Sequence, residues 1–145
     1  MIFLENVLLY SSFIPLIGII VITLTKNTET RKLKTFALHF SFAPLLLYIV
    51  LWGSFKKTLG VFQFVTTACW IPVLNLNVTL GVDGISLFFI LLSIFLIPLC
   101  ILASWNTVKD NLKIYLNAFL LIEFLLINVF CVLDVFLFYI FLKAF

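Results

Sequence analysis

Three ionisable residues, Glu123, Asp134 and Lys143, stand in or beside the most apolar stretches of the last third of this chain. A charge held at the centre of a hydrocarbon layer costs roughly 2.5–3.5 kcal/mol even on lenient insertion scales, so each must be neutralised, paired or put to use in moving protons or ions. Glu123 lies midway along the run 114–133, and Asp134 follows it by eleven residues, about three helical turns. Both would project from nearly one face of a continuous helix, and Asn117 and Asn128, with the same spacing, would share a second face. Two readings of Glu123 stand side by side. It is a station on a proton path, or it is a protonated side chain bonded to a neighbouring helix, because burial disfavours the charged form. Lys143 lies nine residues beyond Asp134 in a fresh apolar run. It would sit roughly 13 Å along that helix, near the middle of a core about 30 Å thick, and so calls for a partner.

Asp83-Gly84-Ile85-Ser86 is a second constellation. An aspartate just ahead of an apolar run is a helix N-cap, its carboxylate accepting amide hydrogens of the first turn and facing the positive end of the helix dipole. His39 has no second ligand at a suitable spacing, so it reads as a packed or interfacial residue rather than a metal ligand. Cys69, Cys100 and Cys131 form no CxxC pair and read as small apolar packing residues. No metal site, no phosphate-binding glycine loop, no dinucleotide fingerprint and no cysteine cluster for iron–sulfur centres is visible.

The elements that position these residues follow from composition. Of 145 residues, 65% are apolar and 10% charged, far below the roughly 25% charge of soluble domains. The class is an all-α integral membrane protein. Four spans of about 20 residues are expected at 6–25, 35–55, 85–105 and 114–133, with a partial fifth helix at 135–145, all in a single membrane domain, 1–145. Pro15, Pro44 and Pro98 each fall inside a span, where a missing amide bends the helix, as a hinge or as ordinary shaping of the bundle. Basic residues gather in the first loop (Lys26, Arg31, Lys32, Lys34) and the third (Lys109, Lys113), which assigns both loops to the inner side and the second loop to the outer side. The net charge of +3 thus reports topology, not a nucleic-acid partner. In that second loop, residues 74–80 alternate apolar and polar, and 61–67 are rich in Phe, Val and Thr. With Trp70-Ile71-Pro72 between them, the two runs read as a short β-hairpin on the outer membrane face. Only Glu5 precedes the first apolar run, so no basic leader is expected there.

Leu80-Gly81-Val82-Asp83-Gly84-Ile85-Ser86-Leu87 followed by Phe88-Phe89 resembles the entry to the third helix of antiporter-like subunits of respiratory complex I. Phe62-Gln63-Phe64-Val65, Trp70-Ile71-Pro72, the run 95–102, and the segments 130–134 and 138–141 narrow the likeness. Together they resemble the chain 4 family of proton-pumping NADH:ubiquinone oxidoreductase in its mitochondrial form, strongly over 62–141 and only in topology before that. The resemblance implies the N-terminal third of a core membrane-arm subunit in the mitochondrial inner membrane. It implies no cofactor on this chain, with NADH, flavin, iron–sulfur centres and ubiquinone handled by other subunits. Its partners would be the lipid bilayer, other membrane-arm subunits, and a second polypeptide where one supplies the remaining helices.

The family routes protons through a fifth-helix glutamate and later lysines. Lys143 stands at the position aligned with that glutamate, and 142–145 depart from the family pattern. The isolated chain is therefore expected to be inactive, with no catalytic residue of its own, and to act as scaffold and partial channel wall within the enzyme. The rival readings are a subunit of a related cation/proton antiporter and a non-enzymatic truncated membrane protein. The organellar assignment has a direct check. Asn77-Val78-Thr79 is a glycosylation acceptor by sequence. It is expected to stay unmodified, because an organellar inner-membrane protein never meets the glycosylation machinery. A glycan found there by mass spectrometry would instead indicate a secretory route.

Overall fold

In lipid every backbone N–H and C=O must be satisfied within the protein, so a chain this apolar coils into helices wherever it crosses. The computed structural model describes residues 2–58 and 60–144. Among them, four helices are long and apolar enough to span a membrane: α1 (Ile2–Leu24), α2 (Thr30–Ser54), α3 (Gly84–Ala103) and α4 (Leu112–Cys131). A shorter α5 (Val135–Ala144) follows. The expected hairpin is present as β1 (Gln63–Ile71) paired antiparallel with β2 (Leu76–Val82).

Two boundaries differ from expectation for physical reasons. α2 starts at Thr30 rather than near 35, so Arg31, Lys32 and Lys34 lie in its first turns and not in a loop. Cations are unfavourable at a helix N-terminus, but here they keep the basic charge at the membrane surface. Glu29, just ahead of the helix, offsets part of the cost by pairing with Lys32 at 3.0 Å. In the hairpin, Trp70 and Ile71 continue β1 instead of separating the strands. The reversal is made by the short 3-10 turn Pro72–Leu74 and by Asn75 in the left-handed region at φ 52°, a conformation asparagine tolerates well. A bulge interrupts the register between Gln63 and Thr66, where Phe64 also takes a positive φ of 55°.

The four spans form a ring. α1 packs on α2 and α4, α3 packs on the same two, and α2 meets α4 across the diagonal. The basic ends lie together: Lys34 donates to the Trp105 carbonyl and lies over its ring at 5.6 Å, while Lys113 donates to the Thr23 carbonyl at 3.1 Å. The hairpin covers the opposite end, with β2 resting on α1, α3 and α4. Apolar packing falls into two clusters. One, under the hairpin, includes Leu8, Leu51, Val82, Ile90 and Ile127, and the other, at the basic end, includes Ile22, Leu33, Ile101, Leu116 and Leu120.

The helix carrying Glu123 does not run on to Asp134, so the expected common face for those two residues is not formed. α4 ends at Cys131, and Val132 is extended. Strand β2 causes the break by taking over the backbone: the Leu133 amide donates to the Thr79 carbonyl at 3.0 Å, and Leu80 forms a bridge with Val132. Gly81 allows the approach, since a Cβ there would stand 3.0 Å from Leu133 Cδ1 and 3.2 Å from Val65 Cγ2. α5 then restarts and packs on α4, with Phe141 edge-on to Phe124 at 6.1 Å.

Helix association in lipid is driven by close packing, which favours small residues at contacts. Gly18 is such a residue on α1, for a Cβ there would meet Phe40 Cβ and Cγ of α2 at 2.8 Å and Leu120 Cδ1 of α4 at 3.1 Å. Gly18→Ala is expected to force α1 away from both neighbours and to cost about 1–3 kcal/mol. Thermal unfolding in detergent should show the loss, with Gly53→Ala, which meets nothing within 4 Å, as the control.

Candidate functional site

The inward stripe of α2 runs Leu33, Ala37, Ser41, Pro44, Tyr48, Leu51, and that of α4 includes Leu116, Leu120, Glu123, Ile127 and Cys131. Spacings of three and four place each set on one helix face. Two polar pairs join the stripes across the bundle. Ser41 Oγ donates to Glu123 Oε2 at 2.9 Å, and the Tyr48 hydroxyl lies 3.4 Å from Cys131 Sγ.

Glu123 is 1% exposed and Ser41 is wholly buried. They sit at the level where the two apolar clusters meet, with Leu120 in one and Ile127 in the other. The second carboxyl oxygen, Oε1, is buried with no hydrogen-bond partner among the described residues. A buried polar atom left without a partner costs about 1–3 kcal/mol, so such atoms are rare and call for an explanation. A carboxyl at mid-bundle, with one oxygen fixed and one unengaged, can accept and release a proton without altering its hold on the neighbouring helix.

The other expected residues lie apart from this pair. Asp134 opens α5, its Oδ1 accepting the Phe136 amide at 3.0 Å, and so acts as a helix cap beyond the break. Lys143 lies in the last turn of α5, exposed, its ammonium 5.6 Å from the Tyr139 ring centre. Asn117 turns toward α1, donating to Thr23 Oγ1 at 3.2 Å, whereas Asn128 donates to the Phe124 carbonyl of its own helix at 2.8 Å and lines, with Ser12, an apolar cavity of about 340 Å³. His39 is exposed on the outer face of α2, with Nδ1 2.8 Å from the Thr35 carbonyl, so it is not a packed residue within this chain. Of the cysteines only Cys131 is buried; Cys69 and Cys100 are exposed, contrary to the packing role expected of all three. Among the described residues no three of His, Cys, Asp and Glu gather where they could hold a metal ion.

Sequence reasoning found Glu123 but not its partner. The signal was present: Ala37, Ser41, Pro44 and Tyr48 place small or polar residues at helical spacing in an otherwise bulky span, which marks the side of a membrane helix that faces other helices.

This geometry defines a multi-pass membrane protein whose interior, among the described residues, holds one ionisable carboxyl, that of Glu123. The family described as NADH-ubiquinone oxidoreductase chain 4, amino terminus, matches residues 8–134, and the chain belongs to it. It is 47% identical over 139 residues to the NADH-ubiquinone oxidoreductase chain 4 of Chondrus crispus, covering 96% of this chain and 28% of that protein. It is 43% identical over 130 residues to that of Arabidopsis thaliana, covering 90% of this chain and 26% of the relative. With the chain 4 protein of Metridium senile the identity is 42% over 145 residues, with 97% and 29% covered. The chain thus spans little more than a quarter of the length of these curated relatives.

The family signature at the head of α3 is built as the residues suggest. Asp83 is the N-cap, accepting the Ser86 amide at 2.7 Å, and Gly84, the first helical residue, lies beside the Phe55 ring, which a Cβ there would meet at an ordinary contact distance of 3.7 Å. The Ser86 amide and side chain hold the Asp83 carboxyl below the usual carboxylate range. Its folded value is lower than its unfolded one, so the cap contributes fully above the unfolded value of about 3.9 and is lost as pH falls through the folded value. Asp83→Ala is expected to lower stability at pH 7 by about 1 kcal/mol while Asp83→Asn keeps most of it. As the medium becomes strongly acidic the parent's unfolding curve should fall towards that of Asp83→Ala, while the margin of Asp83→Asn over Asp83→Ala stays the same at every pH.

Proposed function

We propose that this chain forms the amino-terminal helix bundle of a membrane-arm subunit of the proton-translocating NADH:ubiquinone oxidoreductase, seated in the mitochondrial inner membrane. Family membership over residues 8–134 supports the assignment to that enzyme. NADH oxidation, flavin and iron–sulfur chemistry and quinone reduction belong, on this reading, to other subunits, while this chain contributes to the coupled movement of protons. Its partners are the further helices that complete the subunit, adjacent membrane-arm subunits, and lipid. The outward faces of α3 and α5 are apolar surface suited to both, with Phe88, Leu92, Phe136 and Tyr139 exposed.

The observation that carries the role in proton movement is the state of Glu123: buried at mid-bundle, held by Ser41 through one oxygen, with the other unengaged. An intramembrane carboxyl is the group such a path requires, since it can be neutral in transit and charged in exchange. Asp134 and Lys143 have other work in this reading, as a cap and as a cation on the α5 surface.

A second reading has its own observation, the cross-bundle bond itself, which could make Glu123 a clamp between α2 and α4. Glu123→Gln separates the two, because the amide oxygen still accepts from Ser41 but exchanges no proton. In the assembled enzyme, Glu123→Gln is expected to leave assembly and NADH oxidation capacity in place while dye-monitored proton pumping falls several-fold. Normal pumping in this variant would leave the clamp as its role.

A further inference from the structure

Hydroxyls carried on helices ordinarily return their proton to a carbonyl one turn back on the same helix. Ser11 and Ser12 both donate to the Leu8 carbonyl, Thr23 to Ile19, Thr35 to Arg31, and Ser93 to Phe89. Ser41 departs from this habit. Its hydroxyl leaves its own helix and donates to Glu123 Oε2 on α4, 82 residues away in sequence. Tyr48, two turns further along the same face, also bonds across the bundle, to Cys131, so the α2–α4 diagonal carries two buried polar pairs between helices.

The two oxygens of Glu123 are thereby made unequal. Oε2 is an acceptor already engaged by a donor that has no other proton to give, whereas Oε1 is buried and without a partner among the described residues. A proton arriving from a water molecule or a neighbouring group bonds to Oε1, and the same O–H bond breaks when the proton leaves. Oε2 remains the hydrogen-bonded oxygen throughout, so no rotation of the carboxyl is needed between loading and release. We propose that Ser41 is a positioning residue, which fixes the carboxyl of Glu123 so that its proton is exchanged at Oε1. This inference rests on the proton-exchanging reading of Glu123.

The test uses the assembled enzyme carrying Ser41→Ala, Ser41→Cys or Glu123→Gln. Difference infrared spectroscopy identifies the Glu123 carboxyl band as the one missing from Glu123→Gln. Ser41→Ala is expected to move that band to higher frequency, because a carbonyl that loses its donor stiffens, and to lower pumping several-fold. Ser41→Cys, nearly the same size and a weaker donor, should show a smaller band shift and recover part of the pumping. If the alanine variant does not assemble, the cysteine variant alone decides, by whether its band moves. A band that stays in place with pumping intact in the Ser41 variants, while Glu123→Gln is impaired, would overturn the positioning role alone. Normal pumping in Glu123→Gln would instead remove the reading on which it rests.

Discussion

Backbone amides and carbonyls have no water to turn to inside a bilayer, and most of what this chain does follows from that requirement. It dictates helices where the chain crosses, and it also dictates the repair where a helix stops. At the end of α4 the freed backbone is taken up by strand β2, through the Leu133 amide and the Thr79 carbonyl. The hairpin is therefore part of the bundle and not a decoration on a loop. Without it, the Leu133 amide would need another partner, and α5 would have no fixed direction in which to restart.

Within that frame the interior is divided by depth. Apolar side chains fill the end under the hairpin and the basic end, and the polar pairs of the α2–α4 diagonal run through the middle and toward the hairpin. Desolvation makes a mid-bundle carboxyl expensive, and a single hydroxyl donor offsets only part of the cost. Glu123 thus combines firm placement with incomplete satisfaction. A residue kept merely to bind two helices together would be expected to have both oxygens engaged.

Much of this architecture was legible because membrane insertion imposes coarse rules. Span length, the gathering of basic residues and the alternation across 74–80 pointed to the four helices and the hairpin, and Asp83 announced its own helix. The details that escaped depend on contacts distant in sequence. The early start of α2 sets an unfavourable dipole interaction against the advantage of surface charge, and neither can be weighed from a local pattern. The break after Cys131 comes from Thr79 and Leu80, far upstream. Likewise the pairing of Ser41 with Glu123 needs the relative rotation and depth of two helices, set by contacts such as Gly18 against Phe40. Composition along one helix carries no record of that registration.

The link between Thr79 and Leu133 also sets an order of events during synthesis. An isolated two-stranded hairpin is marginal in water, and β2 gains its helix-end partner only after α3 and α4 have emerged. At about 5–20 residues per second, those roughly fifty residues take roughly 3–10 s, whereas a hairpin forms in about 1–10 μs. The strands are therefore ready long before their dock exists, and for seconds β2 has an open edge at the membrane surface. Arrival of the α4–α5 junction closes that edge. The hairpin is then a latch that engages last, so insertion of the four spans is completed by a contact between a strand and a helix end.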